Sequence, residues 1–408
     1  MARRRAKQEM TQPRPITPEL STTMALARLR KEYVAGDTGM ARIARSQRVR
    51  EHVILDLNGQ PLFYDVEVAD EDGVAGILRV AASESIGTSL LSVQDRPRHW
   101  DPDAAMKNAQ KAAGRLVPKG AKVTGTDLVC YCYPKIAVRV MFETGRKQGA
   151  LLLDAASIEP IERFGGGGLE GETAYSYYAE VVEPTLERRA RRFAREQEHM
   201  EALRKMTPQL FEGEFEPADR QITAMRTQLQ VASIYTAVAL LFNQRVLPYS
   251  PRCGAEENFR LYAQQTNVYC AVAAGQMILD WHRWYYTQDE IAAAMGTGAG
   301  GTGNTGQVAG YESLTNFAFN ATYDTSAQWS EAKAEIDAGR PLKSGVPGHA
   351  RACNGYRRTW DFTSGGFDYA VRIYDPWPWN ANICDGGAVY WEDWDAVTHT
   401  NWIYVRHA

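Results

Sequence analysis

Four residues in the second half of the 408-residue chain have the types and spacing for nucleophilic acyl chemistry: Gln264, Cys270, His349 and Asp375. Cys270 ends the run QQTNVYC and is followed by AVAAGQMILDWHRWYY, a stretch of strong helix formers interrupted only by Gly275. The pattern predicts a helix that opens at the thiol. At a helix N-terminus the unpaired N–H groups and the macrodipole favour thiolate over thiol, and the thiolate is the nucleophile. Six residues upstream, the Gln264 amide can point back at the oxygen of an attacked carbonyl and complete an oxyanion hole with the Cys270 N–H. His349, in SGVPGHARACNGY, is expected to lead a strand, and its imidazole would take the thiol proton and later return it to the leaving amine. After the turn-rich DFTSGGF, YAVRIYDPWP reads as a returning strand ending at Asp375. Such a hairpin would set the carboxylate beside His349 and fix its tautomer.

Other reactive side chains read as structural. The six cysteines, at 130, 132, 253, 270, 353 and 384, include no CxxC pair. That argues against a zinc or dithiol site, and neither metal nor cofactor is expected. Cys130 and Cys132 alternate within an apolar run and are expected in a buried strand. Cys353 lies four residues beyond His349 on the same predicted strand face and reads as core, with a disulfide to Cys384 as the alternative. His282, between Trp281 and Trp284, reads as a packed residue, and His399 and His407 as isolated ones. The run 296–301 fits GxGxxG but follows a helix pattern instead of a strand, so a dinucleotide site is rejected; a loop lining the cleft or closing over it is expected. Trp329, Trp377 and Trp379 are candidates for apolar surface near that cleft.

The elements that position these groups divide the chain into four parts. Residues 1–50 form a basic arm, with twelve Arg or Lys against four Asp or Glu, while the whole chain has a formal charge of -3. The arm is a candidate contact for an anionic polymer, an acidic partner or the chain's own acidic body, or else a solvated tail. Residues 51–164 read as a small α+β domain. VILDL, PLFYDVEVA and GILRVAAS, separated by Asn-Gly and Asp-Gly, predict three strands. DPDAAMKNAQKAAGRL predicts a helix capped by Asp101, and LVCYCYPKIAVRVMFE and QGALLLDAAS predict two further strands, with Pro134 at an edge or bulge. Residues 165–250 read as a hinge and helical linker, opened by four glycines at 165–168. In it, the Glu- and Arg-rich run after Pro184 predicts an exposed helix, and 222–242 a second one packed most deeply at its end. Five arginines between 188 and 195 lack the interleaved aromatics of a nucleic-acid surface, and nucleic acid is not expected as a partner. Residues 251–408 form the domain that carries the chemistry.

Taken together, Q-x5-C opening a helix, G-H-x4-N-G-Y and a strand ending in Asp-Pro resemble the papain-like cysteine peptidases. They are most similar to the bacteriocin-leader-type, double-glycine-cleaving soluble bacterial enzymes. TQDEIAAAMGTGAGGT after the nucleophile helix and the closing WEDWDAVTHTNWIYV are similar to that group too, and the resemblance spans about residues 255–408. It implies an α+β fold in which the nucleophile helix packs on an antiparallel sheet. It further implies Cys270 as nucleophile, His349 as base and acid, Asp375 as orienter and Gln264 as oxyanion donor, acting on a peptide or protein substrate. Asn380 is the alternative third member, because Asn serves in other papain-like enzymes. Ala271 and Val272 stand where many relatives have Gly-Pro, which separates this chain from the typical pattern. Residues 51–164 loosely resemble PepSY- or cystatin-like prodomains, which implies a covering or inhibitory role.

Two alternatives keep the same residues. One is a transglutaminase-like acyltransferase or an amidase; the other is an inactive binding or structural protein on a peptidase fold. The four glycines are a candidate self-processing site. The first thirty residues have no apolar stretch of a secretory signal, and the longest apolar run, 231–242, is too short to span a bilayer. The chain is therefore expected to be a soluble protein, either cytoplasmic or exported without a classical signal peptide.

Overall fold

The computed structural model describes residues 14–162, 169–171, 173–232, 242–250, 258–361 and 366–408. The four glycines at 165–168, and with them the candidate self-processing site, lie outside the described residues, as does the second half of the helix expected over 222–242.

In the first part of the chain, helices α1 (Pro18–Ala35) and α2 (Ala41–Arg45) precede strands β1 (Gln47–Asp56), β2 (Pro61–Asp70), β3 (Gly73–Ala81) and β4 (Leu90–Gln94). Helix α3 (Pro102–Leu116) leads into β5 (Lys122–Cys132), β6 (Lys135–Thr144) and β7 (Lys147–Asp154). Asp101 caps α3 as expected, accepting the Ala104 N–H at 2.8 Å. The run expected as one strand around Pro134 is instead a hairpin, with Tyr133 and Pro134 at its turn. Proline has no N–H to give a ladder, so the turn is where the sheet tolerates it.

The linker contains α4 (Leu186–Met206) and α5 (Asp219–Ala232). The last part has β8 (Phe242–Val246), β9 (Tyr249–Ser250), β10 (Phe259–Arg260), α6 (Cys270–Trp281), α7 (Gln288–Ala294), α8 (Asn304–Leu314), β11 (Phe319–Asp324) and α9 (Trp329–Asp337). Strands β12 (Leu342–Val346), β13 (His349–Asp361), β14 (Gly366–Asp375), β15 (Ala388–Asp393) and β16 (Asn401–His407) complete it. Phe242 thus begins a strand paired with β13 and does not end a helix.

Both parts contribute to one sheet, in the order β11-β16-β12-β13-β14-β15-β4-β3-β2-β1-β5-β6-β7. The two halves join edge to edge where β15 pairs with β4, Trp391 opposite Val93 and Glu392 opposite Ser92. Sheet edges left bare are liabilities, and this junction covers one from each half.

The basic segment also belongs to the fold from Pro18 onward. Arg28 reaches Asp393 of β15 at 2.9 Å, and Arg30 donates to the carbonyls of Leu210, Glu212 and Gly213. Of the roles open to this arm, contact with the chain's own acidic groups is the one its described residues make. Helix α4 has the exposed, charge-paired face its sequence predicts, with Arg191 on Glu187 and Lys205 on Glu201, and in addition a buried stripe. Arg189, Phe193, Met200 and Leu203 are buried along one stripe, and Arg192 holds both Asp393 oxygens at 2.7 Å. Charged residues spaced like an exposed face can pack inward when buried carbonyls and carboxylates receive them. Among the described residues, no helix is long and apolar enough to cross a membrane.

Candidate active site

Cys270 is the first residue of α6, the predicted position. The helix is apolar on nearly every side and packs on β13, with Cys270 and Ala271 against Ala350. His349 leads β13, and β14 returns antiparallel, Ala352 opposite Tyr374, so that Asp375 arrives beside His349. The His349 Nε2 to Asp375 Oδ1 distance is 2.7 Å. Asp375 also accepts the Trp377 N–H at 2.9 Å and the Tyr390 hydroxyl at 2.8 Å. Burial alone would raise this carboxyl, but His349, Arg351 and the Trp377 N–H outweigh it and hold it below the ordinary range. With Nε2 engaged, His349 Nδ1 has no hydrogen-bond partner.

Gln264 is tied to the segment after Asp375. Its N–H donates to the Pro376 carbonyl and its carbonyl accepts the Asn380 N–H, each at 3.0 Å. Its side-chain Nε2 donates to the Thr266 carbonyl at 2.7 Å, which leaves one amide proton for another acceptor. Asn380 donates its side-chain amide to Asp385 and so braces the loop, while Asp375 takes the place beside His349.

The chemistry of the thiol differs from the sequence expectation. Cys270, His349 and Asp375 are fully buried and Gln264 is 1% exposed. Burial raises the Cys270 thiol, against the lowering effects of Lys135, the Ala350 N–H and Lys343. Burial likewise pushes His349 down to about 4, despite Asp375. The helix start does not win here because desolvation penalises the charged form of both groups. In this enclosed state the pair is a neutral thiol and a neutral imidazole.

The cover comes from the first part of the chain. The β5–β6 hairpin inserts Cys132, whose thiol donates to the Pro347 carbonyl at 3.5 Å, and Lys135, whose Nζ donates to the Gly171 carbonyl at 3.0 Å. Tyr133 donates its hydroxyl to Glu392 at 3.0 Å, and Glu392 in turn pairs with the buried Arg351 at 2.6 Å. Thr173 and Tyr175 pass over Gly348; a Cβ there would lie 3.5 Å and 3.7 Å from them. Gly348 itself has φ +70, a conformation that suits glycine. The Gly-rich run 296–301 is a loop, as expected, and lies against residues 169–171.

Other side chains fall where the sequence placed them or away from the site. Cys130 and Cys132 are buried in β5. Cys353 is free, whereas Cys384 is disulfide-bonded, so a bond between these two is ruled out. His282 packs against Phe319 with ring centroids 4.6 Å apart. Trp377 borders the site and donates Nε1 to Asp154 at 2.9 Å, but Trp329 is remote, packed on Tyr356 and Tyr369. Tyr390, Arg351, Lys135, Lys343 and Glu170 escaped sequence reading. For the first four the only signal was a charged or polar residue within or beside a strand-forming run, which many surface strands share; Glu170, in the Gly-rich LEGET, gave none. Among the described residues, no cluster of three or more His, Cys, Asp or Glu is placed to hold a metal ion.

A thiol at the first residue of a helix, packed on an antiparallel sheet that carries a buried His–Asp pair, makes the last part of the chain an α+β unit. Residues 256–400 match the model of the Peptidase_C39 like family, which supports a cysteine peptidase. The matched span leaves the likeness of residues 51–164 to a prodomain without support. Among solved structures, the peptidase domain of Streptococcus ComA, a bifunctional ABC transporter involved in a quorum-sensing pathway, is 14% identical with a TM-score of 0.28, covering 37% of this chain and 100% of that one. A double-glycine-motif protease from an AMS/PCAT transporter, solved with its leader peptide, is 12% identical with a TM-score of 0.24, over 41% and 99% of the two chains. UfSP from C. elegans is 15% identical with a TM-score of 0.29, over 41% and 34%. No match is found among curated proteins.

Proposed function

We propose that the chain hydrolyses peptide bonds through an acyl-enzyme on Cys270, and that its N-terminal half holds the site shut. The carrying observation is the His349 ring. One nitrogen is fixed on Asp375, the other is unpartnered, and the residue after it, Ala350, packs against Cys270.

In this reaction His349 Nδ1 takes the thiol proton as sulfur bonds to the substrate carbonyl carbon. The Cys270 N–H and the remaining Gln264 amide proton receive the oxygen's developing charge. As the C–N bond breaks, His349 gives its proton to the leaving amine. Water, deprotonated by the same ring, then hydrolyses the thioester and restores the thiol. Asp375, held by Trp377 and Tyr390, keeps the ring in one tautomer and stabilises its charged form.

Regulation follows from the cover. A substrate carbonyl has no route to a fully buried thiol, so the β5–β6 hairpin and the segment through Thr173 and Tyr175 must move before turnover. The test is incubation of wild type and Cys270→Ala with an unfolded protein, with products read by mass spectrometry. The expected products are hydrolysed peptides with new N-termini, lost in Cys270→Ala. Isopeptide-linked products in place of hydrolysis would shift the reading to acyl transfer.

A further inference from the structure

Glu170 is a carboxylate only 5% exposed, on a segment that crosses the site. Its oxygens are held by three side chains of the last part of the chain. Lys343 of β12 donates Nζ to Oε1, Gln307 of α8 donates Nε2 to Oε2 at 2.8 Å, and Asn401 of β16 donates Nδ2 to Oε1 at 3.2 Å. Asn401 also accepts from Lys343 Nζ at 2.6 Å, which orients the ammonium. Lys343 and Gln307 are fully buried and Asn401 is 4% exposed.

The backbone around Glu170 lies as a bound peptide does when it adds to a strand-like edge. Glu170 N–H donates to the Thr302 carbonyl at 3.1 Å and Thr302 N–H returns a bond to the Glu170 carbonyl at 2.9 Å. The next N–H, of Gly171, donates at 3.2 Å to the carbonyl of Gly348, the residue before His349. Contact with the Gly-rich loop is close. A Cβ on Gly301 would lie 2.0 Å from the Glu170 carbonyl oxygen, so the loop's glycines admit a peptide backbone at this line.

A buried ammonium is costly unless a carboxylate pairs with it, and removing one partner leaves the other charge uncompensated. The cradle therefore discriminates strongly for an acid at this position. We propose that Lys343, Gln307 and Asn401 form a subsite for the acidic side chain of a peptide lying in the cleft, and that Glu170 fills this subsite in cis. The proposal rests on the peptidase reading for its function, since a subsite beside Cys270 then selects substrates with Asp or Glu ahead of the residue that pairs with Gly348. Glu170 is one of the charges that disfavour the Cys270 thiolate and Lys343 one that favours it, so departure of Glu170 leaves the favourable charge behind.

The test uses the full chain carrying Cys270→Ala and Glu170→Gln, which cannot form an acyl-enzyme and has a weakened internal ligand. Binding of two fluorescent peptides is measured by anisotropy: Leu-Glu-Gly-Glu-Thr-Ala-Tyr, the sequence of residues 169–175, and its twin with Gln in place of the first Glu. The Glu peptide is expected to bind about tenfold or more tightly, as for loss of hydrogen bonds to a charged group. Adding Lys343→Met should bring the ratio to about one, and Gln307→Ala, which keeps the buried ammonium, should lower it about threefold. Equal affinities before those substitutions, no binding of either peptide, or a ratio that survives Gln307→Ala and Lys343→Met overturns the proposal. If Lys343→Met fails to fold, the peptide pair and Gln307→Ala still decide. Because no variant hydrolyses anything, failure here is separate from failure of the peptidase reading.

Discussion

Cys270, packed on strand β13, and Cys353, within that strand, are both fully buried, yet their surroundings differ in kind. Cys353 sits among Leu342, Val371, Ile373 and Trp402, and burial pushes its thiol up to about 12. Cys270 opens a helix, packs against Ala350, and has Lys135, Lys343 and the His349–Asp375 pair nearby. Burial raises both thiols in the closed molecule. What separates them is what stays behind when the cover moves and takes Lys135 with it: around Cys270, the His349–Asp375 pair and Lys343; around Cys353, a mainly hydrocarbon core. Desolvation can mask a reactive site without dismantling it, and on the proposed reading the groups that bury Cys270 from the other half of the chain are that mask.

The largest expected effect breaks or keeps that distinction outright. Cys270→Ala should lower peptide hydrolysis at least about a thousandfold, as loss of a nucleophile does, while Cys353→Ala leaves the rate per folded molecule unchanged. Asp375→Asn should lower the same rate about a hundredfold or more, because the amide no longer fixes the productive His349 tautomer. A steady-state assay on purified chains checks both.

Acid stability sharpens the comparison next. Native His349 stays neutral down to about 4, whereas the imidazole of an unfolded chain protonates near its ordinary value of about 6.5. Between those values the unfolded state binds more protons, so stability falls as pH drops from about 6.5 toward about 4. The shift corresponds to about 2 kcal/mol lost by pH 5 through this group. His282 and His399 are also shifted down by burial and add to the wild-type slope, so the change on substitution isolates His349. Denaturant unfolding at pH 7 and pH 5 should show a shallower loss for His349→Gln and an unchanged one for Cys353→Ala.

The sequence made the reactive groups legible more readily than their confinement. Cys270 at a helix start, His349 at a strand start and Asp375 at the end of the returning strand all follow from local pattern, because helix formers, turns and alternating strands leave local traces. Strands β1, β2 and β3 and the Asp101 cap were legible for the same reason. The β5–β6 hairpin was not: one apolar run passes through Pro134 and gives little warning of a reversal. Nor were the long-range pairs. Arg28 and Arg192 look like solvated charges until Asp393 arrives from some two hundred residues or more away, and Lys343 and Glu170 reveal nothing of each other in the linear order. The depressed His349 and raised Cys270 values come from that packing, since desolvation is a property of the assembled site.

The most direct test of the account is the rate at which a thiol electrophile modifies each cysteine at neutral pH, mapped by mass spectrometry in wild type and in Asp56→Ala. Asp56 accepts the Ser176 hydroxyl at 2.6 Å and the Tyr178 N–H at 3.1 Å, and so anchors the segment that passes over Gly348. Loosening that anchor should raise Cys270 modification about tenfold, the effect of losing bonds to a charged acceptor, and leave Cys353 unchanged. If Cys270 reacts no faster than Cys353 in the loosened chain, or both rise together, the claim that a poised nucleophile lies masked beneath the N-terminal half is contradicted.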